Sequence, residues 1–424
     1  MVSKRRVVIT GMGVLSPIGQ DLAAYWQALC AGQSGVRPLE SVDTSLLPFS
    51  FAGQVVGFDA RKILPKSQLR GLKVMARTVQ LGVCAAELAL AHARVDSSTL
   101  DPERFGVTYG SGMIATELDD IAYAAEASVN CQPGAVSLRS WGEKGIPAIQ
   151  PLWMLKYLPN MPACHVSIMH NAQGPNNSIT ESDVASLLAL GESYNILRRD
   201  GADFFLVGGA ESKLNPLSLS RLALFMHGSR RNAEPARACR PFDRQRDGAV
   251  VGEGAAVVAL EELSHAQRRG ATIYAEMVGY GAAFDRRRDG SGLARAIRTA
   301  LRQADLTPDQ IGHINAHGLS TPQADIWESR AITEVFGQPT PPVFAPKGHF
   351  GNVGAGGSVL ELIASLLALH HQQLPATLNY EYPDPQCPVR VAAGSPQPLT
   401  SPYMLKIAFT DIGQCGAVVL RRWE

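Results

Sequence analysis

The chain reads as a layered α/β protein with a large core, and three observations lead there. Short β-branched runs alternate with longer Ala/Leu-rich segments of helical period along all 424 residues. Hydrophobic residues make up 46% of the chain against 18% charged, enough apolar material for an extensive interior. No short repeat or low-complexity stretch interrupts the alternation. The length fits two or three structural units, or one large duplicated α/β body.

The elements follow in order. Lys4, Arg5 and Arg6 precede an apolar run in the manner of a signal peptide. Gly11, Gly13 and Pro17 break that run and no small-residue cleavage site follows, so 5–10 is expected to be a first β-strand. Helices are expected over 21–32 and 70–94, then a strand over 105–109. Residues 127–150 are polar and contain Gly and Pro, and read as a long excursion between α/β units. In the helix expected over 183–199, Leu187, Leu188, Ala189, Leu190 and Ile196 fall at helical spacing, which predicts burial. Strands at 203–208 and 250–260 flank an Arg-rich stretch, 228–248, containing Asp243 and Asp247, which reads as a solvated loop. The remainder alternates strands (272–280, 311–316, 389–393, 404–409, 415–421) with helices (292–304, 323–336, 357–371).

Composition narrows the function classes. Lys+Arg total 39 and Asp+Glu 38, a net charge of +1, so bulk charge gives no reason to expect a nucleic-acid or membrane partner. No uninterrupted apolar run reaches the ~18 residues of a membrane span. The seven cysteines (Cys30, Cys84, Cys131, Cys164, Cys239, Cys387, Cys415) are scattered and never spaced CxxC. That argues against a disulfide framework or a structural metal site and for a reducing cytoplasm.

Two Gly-rich motifs are weak by themselves. GMGVLS at 11–16 has Ser16 where a dinucleotide fingerprint needs its third glycine, and GNVGAGG at 351–357 lacks the GK[ST] ending of a P-loop. Six motifs in order are specific: VVITGMGVLSPIG (7–19), LPNMPACHVSI (158–168), FFLVGGAES (204–212), CRPFDRQRDGAVVGEGAAVVALEE (239–262), INAHGLSTPQAD (314–325) and APKGHFGNVGAGGSVLE (345–361). Together they resemble the elongating β-ketoacyl-ACP synthases and their polyketide relatives, nearly end to end. The resemblance implies the thiolase fold, five layers (α-β-α-β-α) in two pseudo-symmetric halves, here 1–262 and 263–424. It also implies a dimer, acyl carrier protein (ACP) as partner, acyl-pantetheine on ACP or CoA as substrate, and no cofactor.

The family pattern GPxxSIxTAC becomes GPNNSITESD, so Asp183 stands, without a gap, where the nucleophilic cysteine would be. A carboxylate is a poor nucleophile toward a thioester, and the mixed anhydride it would form lies well uphill. Asp183 also directly precedes an apolar helix, where an aspartate can act as an N-cap. Ser182 is an offset alternative nucleophile. His317, in the NAHG motif, matches the histidine that polarises the thioester carbonyl or assists decarboxylation. The KxxxxH pattern becomes Lys347 to Asn352, so Asn352 replaces the second histidine, and an amide can still donate into an oxyanion hole. His349 is the wrong distance along the chain to substitute. Lys347 and Glu361 match the supporting Lys–Glu pair.

Substrate-facing positions have drifted. HGLST keeps Thr321 of the two pantetheine-holding threonines and puts Leu319 at the other. The C-terminal turn is TDIGQC, with Asp411 at the gate position after a retained Phe409, and the segment after Tyr280 is short for the family. Lys66 and Arg70 fall where basic ACP-docking residues are expected. These departures point first to a non-condensing, chain-length-factor-like subunit that forms a homodimer or pairs with an active ketosynthase. The alternative is an acyl-thioester enzyme that uses Asp183, His317 and Asn352 without covalent loading, with Asp183 raising the imidazole pKa. An ordinary synthase using another cysteine, such as Cys164, ranks last.

Overall fold

The computed structural model describes residues 5–129 and 137–424; part of the excursion expected over 127–150, residues 130–136, lies outside them. Ten strands form one continuous sheet: β1 (Val7–Leu15), β2 (Phe105–Ser111), β3 (Asn176–Ile179), β4 (Phe204–Glu211), β5 (Gly254–Glu262), β6 (Ala275–Phe284), β7 (His313–Asn315), β8 (Val343–Phe344), β9 (Tyr403–Phe409) and β10 (Gln414–Arg422). The first five run β3-β2-β4-β5-β1 across the sheet and the second five run β8-β7-β9-β10-β6. Numbered within its own half, each set has the order 3-2-4-5-1. In both, the 3-2 and 2-4 neighbours are parallel and the 4-5 and 5-1 neighbours antiparallel. The halves join where β1 meets β6 antiparallel, Val7 opposite Met277 and Ile9 opposite Ala275.

Helices complete the layers. α1 (Leu22–Cys30) caps its N-terminus with the Asp21 carboxylate. α2 (Arg77–Ala93) and α3 (Met161–His170) cover one outer face, Val79, Leu81, Val83 and Val166 packing with Phe105, Val107 and Leu206. α4 (Ala185–Arg198) and α7 (Gly357–His371) share the central core, where Leu187, Leu190, Leu360 and Ile363 meet Phe205 and Val258 of one half and Val418 and Leu420 of the other. α5 (Ser291–Ala304) and α6 (Pro322–Phe336) cover the remaining outer face through Leu293, Ile297 and Ile332. This is the five-layered, pseudo-symmetric thiolase fold that the motifs implied. No helix of the described residues is long and apolar enough to cross a membrane.

Several elements differ from the sequence reading. β1 runs on through the glycines to Leu15 because α2 lies against them: a Cβ on Gly13 would sit 2.1 Å from the Ala85 carbonyl oxygen. The glycines of this motif thus serve helix–strand approach. The helix expected over 70–94 starts at Arg77; the preceding Lys66–Val74 is a 3-10 segment that fully buries no residue and rests on the core only through the partly buried Leu69 and Leu72. Residues 389–393 pair with β8 only at Val391, in a single parallel bridge to Val343, because the amides of Val389 and Val391 turn back onto the carbonyls of Cys387 and Val389. The Arg-rich stretch 228–248 is solvated only in part, with Arg230, Arg237 and Arg244 exposed. Arg240, Asp243 and Arg246 are buried, Arg240 Nε bonds Asp243 at 3.0 Å, and Arg246 Nη1 bonds Asp384 at 2.6 Å. Asp243 also accepts the amides of Glu381 and Tyr382, so this run clamps the C-terminal segment.

Candidate active site

Each half delivers site residues from the end of a strand or the start of a helix. Asp183 lies in a 3-10 turn, Ser182–Val184, between β3 and α4, and Ser182 adopts φ +49°, a left-handed conformation uncommon for a non-glycine residue. The turn is held from the other half: Ser358, at the start of α7, donates its hydroxyl to the Asp183 carbonyl at 2.6 Å. The N-cap of α4 is Val184 with no side-chain cap bond, so the Asp183 carboxylate does not serve as the helix cap. It accepts instead from the Asn352 amide, whose Nδ2 lies 3.2 Å from each carboxylate oxygen. His317 Nε2 stands 3.8 Å from Asp183 Oδ2.

His317 follows β7 and is buried. Lys347 Nζ lies 3.1 Å from its Nδ1, donates to its carbonyl at 2.9 Å and bonds Glu361 at 2.6 Å. An ammonium can only donate, so Nδ1 is the acceptor and Nε2 carries the hydrogen, facing Asp183. Lys406, in the middle of β9, bonds the other Glu361 oxygen, the Asn315 side chain at 2.9 Å and the Ala316 carbonyl at 3.1 Å. Glu328 of α6 accepts the backbone amides of His317 and Gly318. Burial pushes the Glu328 carboxyl up and pulls the Lys406 ammonium down.

The expectation that Asp183 raises the imidazole pKa is overturned. His317 is held well below its ordinary value by burial first, then by the Lys347 and Lys406 charges. The imidazole is neutral, a hydrogen-bond donor at Nε2.

Among the other expected site residues, Phe409 joins the cluster, its ring centroid 4.8 Å from that of His317. Thr321 is the N-cap of α6, its hydroxyl accepting from Ala324 N at 3.3 Å, and Leu319 packs partly buried beside it. Asp411 is exposed in the turn between β9 and β10. Lys66 and Arg70 are exposed on the 3-10 segment before α2. His349 faces away, its ring nitrogens each 3.1 Å from the Gln33 and Ala376 carbonyls. Cys164 belongs to α3 in an outer layer, and burial raises the thiols of Cys84, Cys239, Cys387 and Cys415. Sequence reasoning missed Lys406, Glu328 and Ser358. The signal for Lys406 was a lone lysine inside the apolar run of β9. That for Glu328 was a carboxylate three residues from Asp325 on the apolar face of α6.

Known proteins resemble this chain over nearly its whole length. The β-ketoacyl synthase N-terminal domain matches residues 4–266 and its C-terminal domain 274–381. The chain is 37% identical to 3-oxoacyl-acyl-carrier-protein synthase 2 of Vibrio cholerae over 393 residues, 90% of each chain. It is 34% identical to the Synechocystis protein of the same name over 432 residues, 100% of this chain and 99% of the other. Among solved structures it superimposes on the ishigamide ketosynthase/chain length factor with TM-score 0.88 at 28% identity, covering 100% of both chains. A β-ketoacyl synthase from Burkholderia phymatum gives TM-score 0.88 at 30% identity, covering 99% of this chain and 100% of that one.

Proposed function

The chain belongs to the β-ketoacyl synthase family of fatty-acid and polyketide biosynthesis, and from that premise we propose that it is a non-condensing, chain-length-factor-like subunit working beside acyl-ACP. One observation carries the reading: the Asp183 carboxylate occupies the nucleophile position and already takes the Asn352 amide on both oxygens, with His317 Nε2 facing it. The Asn352 donor suited to a developing oxyanion is thus engaged by an anion of the protein's own. A second anion entering the same space would meet repulsion in a poorly solvated site. Cys84, Cys239, Cys387 and Cys415 offer no activated thiolate in exchange, since burial raises each thiol.

A second reading draws on the cradle of Lys347, Glu361 and Lys406, which presents a neutral His317 with an N–H donor. Such a donor could polarise a thioester without covalent loading, in malonyl decarboxylation, hydrolysis or condensation from a ternary complex.

ACP is the carrier partner in the first reading and ACP or CoA carries the acyl group in the second, in the reducing cytoplasm in both. A type II polyketide synthase carrier protein in complex with its ketosynthase is among the similar structures, at 28% identity and TM-score 0.84. Assembly through the edge strand β3 is supported by exposed apolar residues of the same half, Met113, Tyr123, Leu138, Leu152 and Ile168. The occupant is a second copy or an active ketosynthase.

The test is product analysis with malonyl-ACP and acyl-ACP, for the chain by itself and with a candidate ketosynthase partner. The first reading expects turnover only with the partner, unchanged by His317→Ala. Turnover by the chain itself, lost in His317→Ala and altered in pH profile by Asp183→Asn, would instead establish the second.

A further inference from the structure

One surface departs sharply from the near-neutral charge of the chain. Arg286, Arg287 and Arg288 follow one another in the loop between β6 and α5, and Arg295, Arg298 and Arg302 continue along α5 at i, i+3 and i+7. All six are exposed, while the opposite face of α5 buries Leu293, Ala296, Ile297 and Ala300. Of the six, only Arg298 has a carboxylate within ion-pair distance among the described residues, Glu334 at 2.9 Å. Arg295 and Arg302 donate to the Phe284 carbonyl and the Thr299 hydroxyl.

The loop is firmly held. Buried Asp285 accepts the amides of Arg288 at 3.1 Å and Gly290 at 2.8 Å, and its own amide donates to Gly413 of the hairpin turn between β9 and β10. Arg288 itself adopts φ +54°. It lines a small pocket with Trp327, Glu328 and Phe409, and Phe409 packs on His317. The arginine strip therefore begins beside the site and runs outward along a helix.

We propose that this strip is a docking surface for an acidic protein, the acyl carrier, with Arg286–Arg288 taking the phosphodiester of its pantetheine arm. The inference rests on the carrier-linked reading above. Guanidinium groups suit both partners, since their planar fork meets carboxylates and phosphates in two parallel hydrogen bonds. Three arginines over two turns of one helix, about 10 Å, match the face of a single partner helix. A nucleic acid is a poorer fit, because the chain's net charge of +1 supplies no broad positive field. A membrane surface would need an apolar face beside the charges, and α5 buries its own.

The experiment measures, by fluorescence anisotropy across a salt series, binding of apo and phosphopantetheinylated ACP. It compares the wild type with three charge-reversed variants: Arg286→Glu/Arg287→Glu/Arg288→Glu, Arg295→Glu/Arg302→Glu, and Lys66→Glu/Arg70→Glu. Both arginine variants are expected to weaken binding at least tenfold and flatten its salt dependence; the triple variant should also abolish the preference for the phosphopantetheinylated form. Thermal melts check folding, and the double variant carries the test if the triple one melts early. Unchanged affinity in both arginine variants, with loss only in the Lys66/Arg70 variant, overturns the strip and leaves the carrier reading standing. No carrier binding by the wild type at any salt overturns both. Duplex DNA or anionic vesicles bound more tightly than the carrier, and released by the same arginine substitutions, would also overturn it.

Discussion

His317 shows how burial decides chemistry at a single residue. A carboxylate 3.8 Å away favours the imidazolium, but Asp183 keeps 14% of its side chain exposed, so water weakens its field. Desolvation and two ammonium groups win. A base whose folded pKa lies below its unfolded value of about 6.5 takes up protons on unfolding below that pH. The neutral form is therefore fully compatible with folding above pH 6.5, and stability falls as pH drops, by up to about 1.4 kcal/mol per unit for one group. Urea unfolding between pH 5 and 7.5 should show a shallower slope in His317→Gln than in the wild type. Buried His313, held down to about 3, keeps its own share of that slope in both. Equal slopes would contradict a neutral His317. Glu361 makes a companion case, since it balances both Lys347 and Lys406. Glu361→Gln leaves two buried ammonium groups short of a counter-charge and should cost about 3–5 kcal/mol. Lys406→Met, which keeps the Lys347–Glu361 pair, should cost less in the same unfolding measurement.

Elements were legible where a motif and a periodic pattern coincided. Asp183 could be placed because its turn lies in an ungapped stretch of a known pattern, and α4 because its apolar residues keep helical spacing. β3 was not legible: Asn176, Asn177 and Ser178 carry no apolar alternation, and an edge strand needs none. Lys406 was passed over because its neighbours read as a plain buried strand, and its partners lie 45 and 91 residues away in sequence. The 228–248 run misled because its buried charges pair both within the run, Arg240 with Asp243, and across the chain, Arg246 with Asp384. GMG was weak as a nucleotide motif, and its structural role became visible only with α2 beside it. That role predicts a cost: Gly13→Val, crowding the Ala85 and Ala89 backbone, should destabilise by roughly 1–3 kcal/mol or more through overpacking. A denaturation midpoint equal to wild type would remove the close-approach account.

At the scale of the molecule, duplication explains why the site lies where it does. Two halves of identical strand order meet at β1 and β6, and their central helices α4 and α7 lie together in one core. Asp183 comes from the turn before α4, His317 from the end of β7, and Lys347, Asn352 and Ser358 from the approach to α7 and its first turn. No local stretch of sequence contains the constellation; only the order of motifs and the family pattern bring it into view. Assembly through the β3 edge predicts that sedimentation finds the protein as a dimer, and that charged substitutions at Leu138 and Ile168 shift it toward monomer. The central claim concerns Asp183 itself, and intact mass after incubation with acyl-ACP tests it most directly. The wild type should remain at its unmodified mass, while Asp183→Cys, with His317 and Asn352 still in place, should gain a hydroxylamine-sensitive acyl group. A covalent acyl adduct on the wild-type chain would contradict the account.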